Sequence, residues 1–128
     1  MPTLTGLGDR SHLHEVGVTL DLHVRDIVEA MASEELRDVI LVGHSYGGIV
    51  VTAAAARSRA RLRGLVYLDA FVPVAGRPLF DLISPQERDG LRALARSQPD
   101  PSVLPPFPPA GYGVVEPELA AWLTTKLQ

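Results

Sequence analysis

Three features of the sequence predict an α/β fold built on a parallel sheet. Val39-Ile40-Leu41-Val42 is a short, wholly apolar run, and Gly64-Leu65-Val66-Tyr67-Leu68 is a second. The first suits a central parallel strand buried on both faces. Between them, Ile49 to Arg57 is a small-residue stretch rich in alanine, the best helix former. Strand, helix, strand in that order is a βαβ unit, and connection length and handedness make its strands parallel.

The chain has 128 residues, enough for one domain with a real core. Residues 1–72 form the βαβ core part of that domain and residues 73–128 a cap-like segment. Residues 1–18, with Gly6, Gly8 and Gly17, read as loop. Thr19 is placed to cap a helix in which Leu20, Val24, Ile27, Val28 and Met31 recur at helical spacing. That helix fades near Ala32–Glu35, and Asp38 introduces the first strand. Gly43 to Gly48 form a tight turn into the alanine-rich helix. The second strand ends at Asp69.

Composition shifts after that strand: every proline but Pro2 lies at or beyond Pro73. Ser84-Pro85-Gln86-Glu87 is a capping box with proline at the first helical position, opening a helix to about Arg96. Residues 97–115 read as an extended loop. Pro117 starts a last helix carrying Leu119, Trp122 and Leu123, with Trp122 to Gln128 still inside it. This half reads as a helical, proline-rich cap over the strand ends.

Charge and cysteine content narrow the chemistry. A net charge of −3 leaves no electrostatic footprint for nucleic acid. Arg57, Arg59, Arg61 and Arg63 cluster, but cations suit a solvated helix end. With no cysteine, this stretch has no disulfide, thiolate–metal site or cysteine nucleophile. The N-terminus carries neither a basic start nor an apolar run, and the most apolar stretch is broken by His44, Ser45 and glycines. The expected compartment is the cytoplasm, with no membrane partner.

Gly43-His44-Ser45-Tyr46-Gly47 matches Gly-x-Ser-x-Gly, the nucleophile elbow, in its required setting between an apolar strand and a helix. A sharp strand-to-helix turn lifts the serine hydroxyl clear of the sheet, and flanking glycines remove side chains that would collide. Ser45 is thereby the candidate nucleophile, set at a helix N-terminus that favours developing negative charge. The Tyr46 N–H is the expected oxyanion donor. Gly43, His44 and Gly47 are structural members of the elbow. His44 is read as a packing or hydrogen-bonding residue rather than a proton shuttle. Asp69, at a strand end, is a minor candidate for the catalytic acid, with loop capping the preferred role. His12, His14 and His23 are read as surface or loop residues.

Three blocks carry a family resemblance: Pro2-Thr3-Leu4-Thr5-Gly6-Leu7-Gly8-Asp9-Arg10-Ser11-His12-Leu13, Leu41 to Gly48, and Val66-Tyr67-Leu68-Asp69-Ala70-Phe71-Val72-Pro73. They resemble the α/β-hydrolase superfamily, in particular small bacterial esterases similar to plant methylesterases and hydroxynitrile lyases. The resemblance runs from Pro2 to about Phe80 and continues weakly through Trp122. It implies a partial α/β-hydrolase fold, ester hydrolysis at Ser45, no metal or organic cofactor, and a small apolar substrate. Walls for that substrate would come from Leu79–Ile83 and Trp122. The same scaffold also runs hydroxynitrile-lyase chemistry, and a non-catalytic relic or binding protein is a third possibility.

In that family the order is nucleophile, acid, histidine, yet no histidine follows Ser45 here. The family also opens with a strand and a His-Gly loop that supplies a second oxyanion donor. The expectation is an internal piece of a larger enzyme, lacking the acid and histidine of the triad. Oligomeric state is not legible.

Overall fold

Thr19 opens the first α-helix, α1 (Leu20–Ser33), as its position predicts. Its backbone is extended, and its hydroxyl accepts the Leu22 N–H at 3.2 Å. The structure, a computed structural model, describes residues 2–99 and 104–126, without the side chains of Glu15 and Val16. Met1, residues 127–128 and residues 100–103 of the expected loop lie outside the described residues. Two compact units make up the chain, Met1–Leu82 and Ile83–Gln128.

In the first unit, strand β1 (Val39–Ser45) leads into helix α2 (Gly47–Arg57), and strand β2 (Leu62–Ala70) returns parallel to β1. Helix α2 starts at Gly47, two residues before Ile49, and β2 is longer at both ends than the apolar run suggests. Val24, Ile27 and Met31 of α1 meet Val50 and Ala54 of α2 in one buried cluster. Val39 and Leu41 of β1 pack against it, as does the partly buried Val28, so the stripe read from the sequence faces the core except at its first member, Leu20, which is exposed. Arg57 ends α2 and pairs with Asp21 at 2.6 Å, and Arg61 donates to the Leu36 carbonyl at 3.1 Å.

Two expectations for this unit's backbone need correction. The segment 8–16 is not loop: Gly8–Val16 winds as a 3₁₀ helix ended by Gly17 at φ 76°. A three-residue turn carries no 3.6 period, which is why the stretch looks aperiodic. Nor is β1 buried on both faces among the described residues. Both helices join the cluster on one face. On the other, Ile40 and Val42 stay 54% and 57% exposed, beside Val66 at 45% and Leu68 at 60%. The register pairs Ile40 with Gly64, Val42 with Val66 and His44 with Leu68, making that face one continuous apolar strip.

In the second unit, helix α3 (Pro85–Arg96) carries the full capping box. The Ser84 hydroxyl accepts the Glu87 N–H, and the Glu87 carboxylate accepts the Ser84 N–H at 2.9 Å. The 97–115 segment is not wholly extended, since Pro109–Tyr112 forms a 3₁₀ turn with Phe107 edge-on to Tyr112. Helix α4 (Pro117–Thr124) begins at the expected proline. It ends at Thr124, with a turn at Thr125 and Lys126, so the expected helix from Trp122 onward stops there among the described residues. Among the described residues no helix is long and apolar enough to cross a membrane.

Candidate active site

Ser45 is the last residue of β1, and its backbone is left-handed at φ 50°. An L-residue there costs roughly 1–2 kcal/mol relative to a relaxed conformation. The next residue forces the turn. Tyr46 is already helical at φ −53° and ψ −33°, so the chain passes from strand to helix within one residue. Ser45 is half-buried, and among the described residues no hydrogen bond engages its hydroxyl.

Close backbone approach explains two of the glycines. A Cβ at Gly43 would stand 2.6 Å from the Gly47 carbonyl oxygen, inside contact distance. A Cβ at Gly48 would strike the carbonyl oxygen of Phe71 and lie 2.9 Å from the Ala70 methyl. A Cβ at Gly47 would meet nothing within 4 Å among the described residues. The second crowded glycine of the elbow is therefore Gly48, where the sequence pattern points to Gly47.

The adjoining strand end is shaped to fit. Register shifts by one residue between His44, paired with Leu68, and Ser45, paired with Ala70. Asp69 is the extra residue of that bulge and adopts φ 42°. Bulges of this kind re-aim a side chain, and they occur often beside active sites. The Phe71 N–H donates to the Ser45 carbonyl at 3.1 Å, closing the strand pair behind the elbow. His44 lies on the exposed face of the sheet, next to Leu68.

Tyr46 has more partners than its place in the motif suggests. Its hydroxyl lies 3.0 Å from His23 Nδ1, with the two rings edge to face at 5.7 Å. His23 Nε2 lies 2.9 Å from the Thr5 carbonyl oxygen. The Thr5 N–H and hydroxyl donate to Asp26 at 2.7 and 2.9 Å, and Arg10 donates to the same carboxylate at 3.2 Å. Burial by itself would raise the Asp26 carboxyl. The Thr5 bonds and the Arg10 charge outweigh burial and hold it below the ordinary carboxylate range. Burial also pushes the Tyr46 phenol up, which keeps it protonated.

His23 thus corrects the surface reading: it is 5% exposed and bonded through both ring nitrogens. A signal for this existed in the sequence. His23 stands three residues after Leu20 and four before Ile27, on the same helix face as the apolar stripe.

A strand that passes through a left-handed serine into a helix N-terminus, within a parallel βαβ unit, places the chain in the α/β class. The model of the alpha/beta hydrolase family matches residues 1–127, and the chain belongs to that family. Over 82 residues it is 55% identical to the carbendazim hydrolyzing esterase of Nocardioides sp. (strain SG-4G). That stretch covers 64% of this chain and 34% of the relative. Over 56 residues it is 41% identical to the alpha-hydroxynitrile lyase of Arabidopsis thaliana, covering 43% of this chain and 22% of that protein.

A solved structure gives the fold match. It is an extracellular alpha/beta-hydrolase from a Paenibacillus species, described as sharing structural and functional homology with tobacco salicylic acid binding protein 2. The TM-score is 0.84 at 21% identity, over 99% of this chain and 52% of that one. The chain thus spans about half the length of that structure, and its matched stretches cover 34% and 22% of the curated relatives.

Proposed function

We propose that the whole protein is a serine-dependent carboxylesterase acting on small apolar esters, with Ser45 as nucleophile. The observation that carries this reading is the left-handed Ser45 at the junction of β1 and the α2 N-terminus. Ser45 Oγ attacks the ester carbonyl, and its proton passes to a histidine base. The Tyr46 N–H and the α2 dipole stabilise the tetrahedral oxyanion, which collapses with loss of the alcohol to leave an acyl-Ser45 for water to cleave. No histidine follows Ser45 in this sequence, so the reading assigns base and acid to parts of the whole protein beyond these 128 residues. Asp69, on its bulge beside Ser45, is a minor candidate for that acid.

The identity with the carbendazim hydrolyzing esterase makes carbendazim a candidate substrate beside simple alkyl esters. A second reading, cyanohydrin cleavage at the same serine, draws on the identity with the hydroxynitrile lyase. The test is turnover by the whole protein of p-nitrophenyl acetate, carbendazim and an aromatic cyanohydrin, each against Ser45→Ala. Loss of a triad nucleophile costs on the order of a millionfold in turnover. Ester or carbendazim turnover that disappears in Ser45→Ala supports the esterase. Turnover of the cyanohydrin alone would replace it with the lyase. Activity indifferent to Ser45→Ala contradicts both readings, and no turnover of any of the three leaves a binding protein.

A further inference from the structure

The buried His23 sits outside the elbow, on a different helix, yet both its ring nitrogens are committed. Nε2 faces the Thr5 carbonyl, which can only accept, so Nε2 carries the proton. In the neutral ring Nδ1 is then an acceptor, and the Tyr46 hydroxyl donates to it at 3.0 Å. The other end of the relay is equally fixed, because Thr5 is clamped by two bonds to Asp26 and Asp26 by Arg10. Five residues from the N-terminal segment, α1 and the elbow therefore form one continuous polar chain. Its end is the side chain of the residue whose backbone N–H is the proposed oxyanion donor.

That N–H must hold its place to a fraction of an ångström, because a donor 2.7–3.1 Å from the developing oxyanion stabilises it and a displaced one does not. Two features would let Tyr46 drift. Its neighbour Ser45 is strained at φ 50°, and Gly47 and Gly48 follow it. A strained conformation persists only where the surroundings over-determine it. Tyr46 is the one bulky side chain between Ser45 and Ile49, and its phenol is tied to α1 by His23.

We infer that His23 is a positioning residue. By accepting the Tyr46 hydroxyl while donating to the Thr5 carbonyl, it holds the oxyanion donor beside Ser45. The inference rests on the esterase reading above and adds to it a residue with no contact to substrate. Its function is to fix a partner, so its loss acts on kcat and leaves KM in place.

The experiment compares four forms of the whole protein with wild type: Tyr46→Phe, His23→Gln, His23→Asn and the pair Tyr46→Phe with His23→Gln. Tyr46→Phe keeps the ring and removes only the hydroxyl. His23→Gln can keep a donor for the Thr5 carbonyl but sets no acceptor at the Nδ1 position. His23→Asn does the reverse. The readouts are kcat and KM on p-nitrophenyl acetate, counted per Ser45 titrated with a fluorophosphonate, and the melting temperature.

Displacement of a positioned group costs up to about a hundredfold in rate. Tyr46→Phe and His23→Gln should each lower kcat by about ten- to a hundredfold with KM unchanged, and together no more than either alone. His23→Asn should recover most of the rate while melting lower, having left the Thr5 carbonyl unpaired. Unchanged kcat per active site in Tyr46→Phe, with effects on melting alone, would overturn the inference, even if both His23 variants fail to fold. A wild type with no Ser45-dependent reaction would instead sink the esterase reading itself.

Discussion

Ser45 and Asp69 both hold left-handed backbones, at φ 50° and φ 42°, on either side of the one-residue slip in register between β1 and β2. The two strained residues belong to one feature. The strand-to-helix turn lifts Ser45 out of the strand, and the bulge at Asp69 lets β2 follow it, so that Ser45 still pairs with Ala70 and its carbonyl accepts from the Phe71 N–H.

The strain should be measurable without any activity assay. Ser45→Ala keeps the Cβ and its strain, whereas Ser45→Gly removes both. Chemical denaturation should show Ser45→Gly more stable than Ser45→Ala by about 1 kcal/mol. Equal stability would mean that the serine is relaxed in solution.

The glycines of the elbow should separate in the same measurement. Gly48→Ala forces a methyl against the Phe71 carbonyl and should cost about 2–3 kcal/mol. Gly47→Ala meets nothing within 4 Å among the described residues at the start of α2 and should be neutral, or stabilising by up to about 1 kcal/mol. The reverse order would show that the crowded glycine has been misassigned.

How much of this site is legible in the sequence depends on the range of the interactions. The β1–α2–β2 unit, the Thr19 and Ser84 caps and the stripe Val24, Ile27 and Met31 are local patterns, and residues close in sequence carry them. The strand-to-helix turn at Ser45 is legible for the same reason, since such a turn needs its glycines within a few positions. His23 is not, because its partners Thr5 and Tyr46 lie 18 and 23 residues away. Gly48 escapes the pattern because the residue it would strike, Phe71, belongs to another strand end. The 3₁₀ helix at Gly8–Val16 looks like loop because its period is not that of an α-helix.

Asp26 supplies a pH dependence. Its carboxyl is held below the ordinary value of 3.8, so its bonds stabilise the fold fully above that pH. The contribution is lost as pH falls through the lower folded-state value. Asp26→Asn should flatten the acid end of a melting-temperature profile and cost about 1–3 kcal/mol near neutrality through weakened Thr5 and Arg10 bonds. An acid limb identical to wild type would show that Asp26 does not carry this linkage.

The open face of the sheet predicts how residues 1–128 behave alone. Ile40, Val42, Val66 and Leu68 form an exposed apolar strip on a sheet that has two strands, with unpaired edges, among the described residues. The isolated stretch should bind a hydrophobic dye strongly and self-associate. Val42→Lys with Leu68→Lys should reduce both. A dye-silent monomer with a sharp cooperative melt would contradict the exposure of that strip.

The most direct test of Ser45 as the nucleophile is covalent. The whole protein is treated with a fluorophosphonate probe and read by intact mass and peptide mapping, beside Ser45→Ala. One phosphonyl adduct is expected on the peptide carrying Ser45, absent from Ser45→Ala. Equal labelling of the two proteins, or an adduct on any other residue, would contradict the assignment.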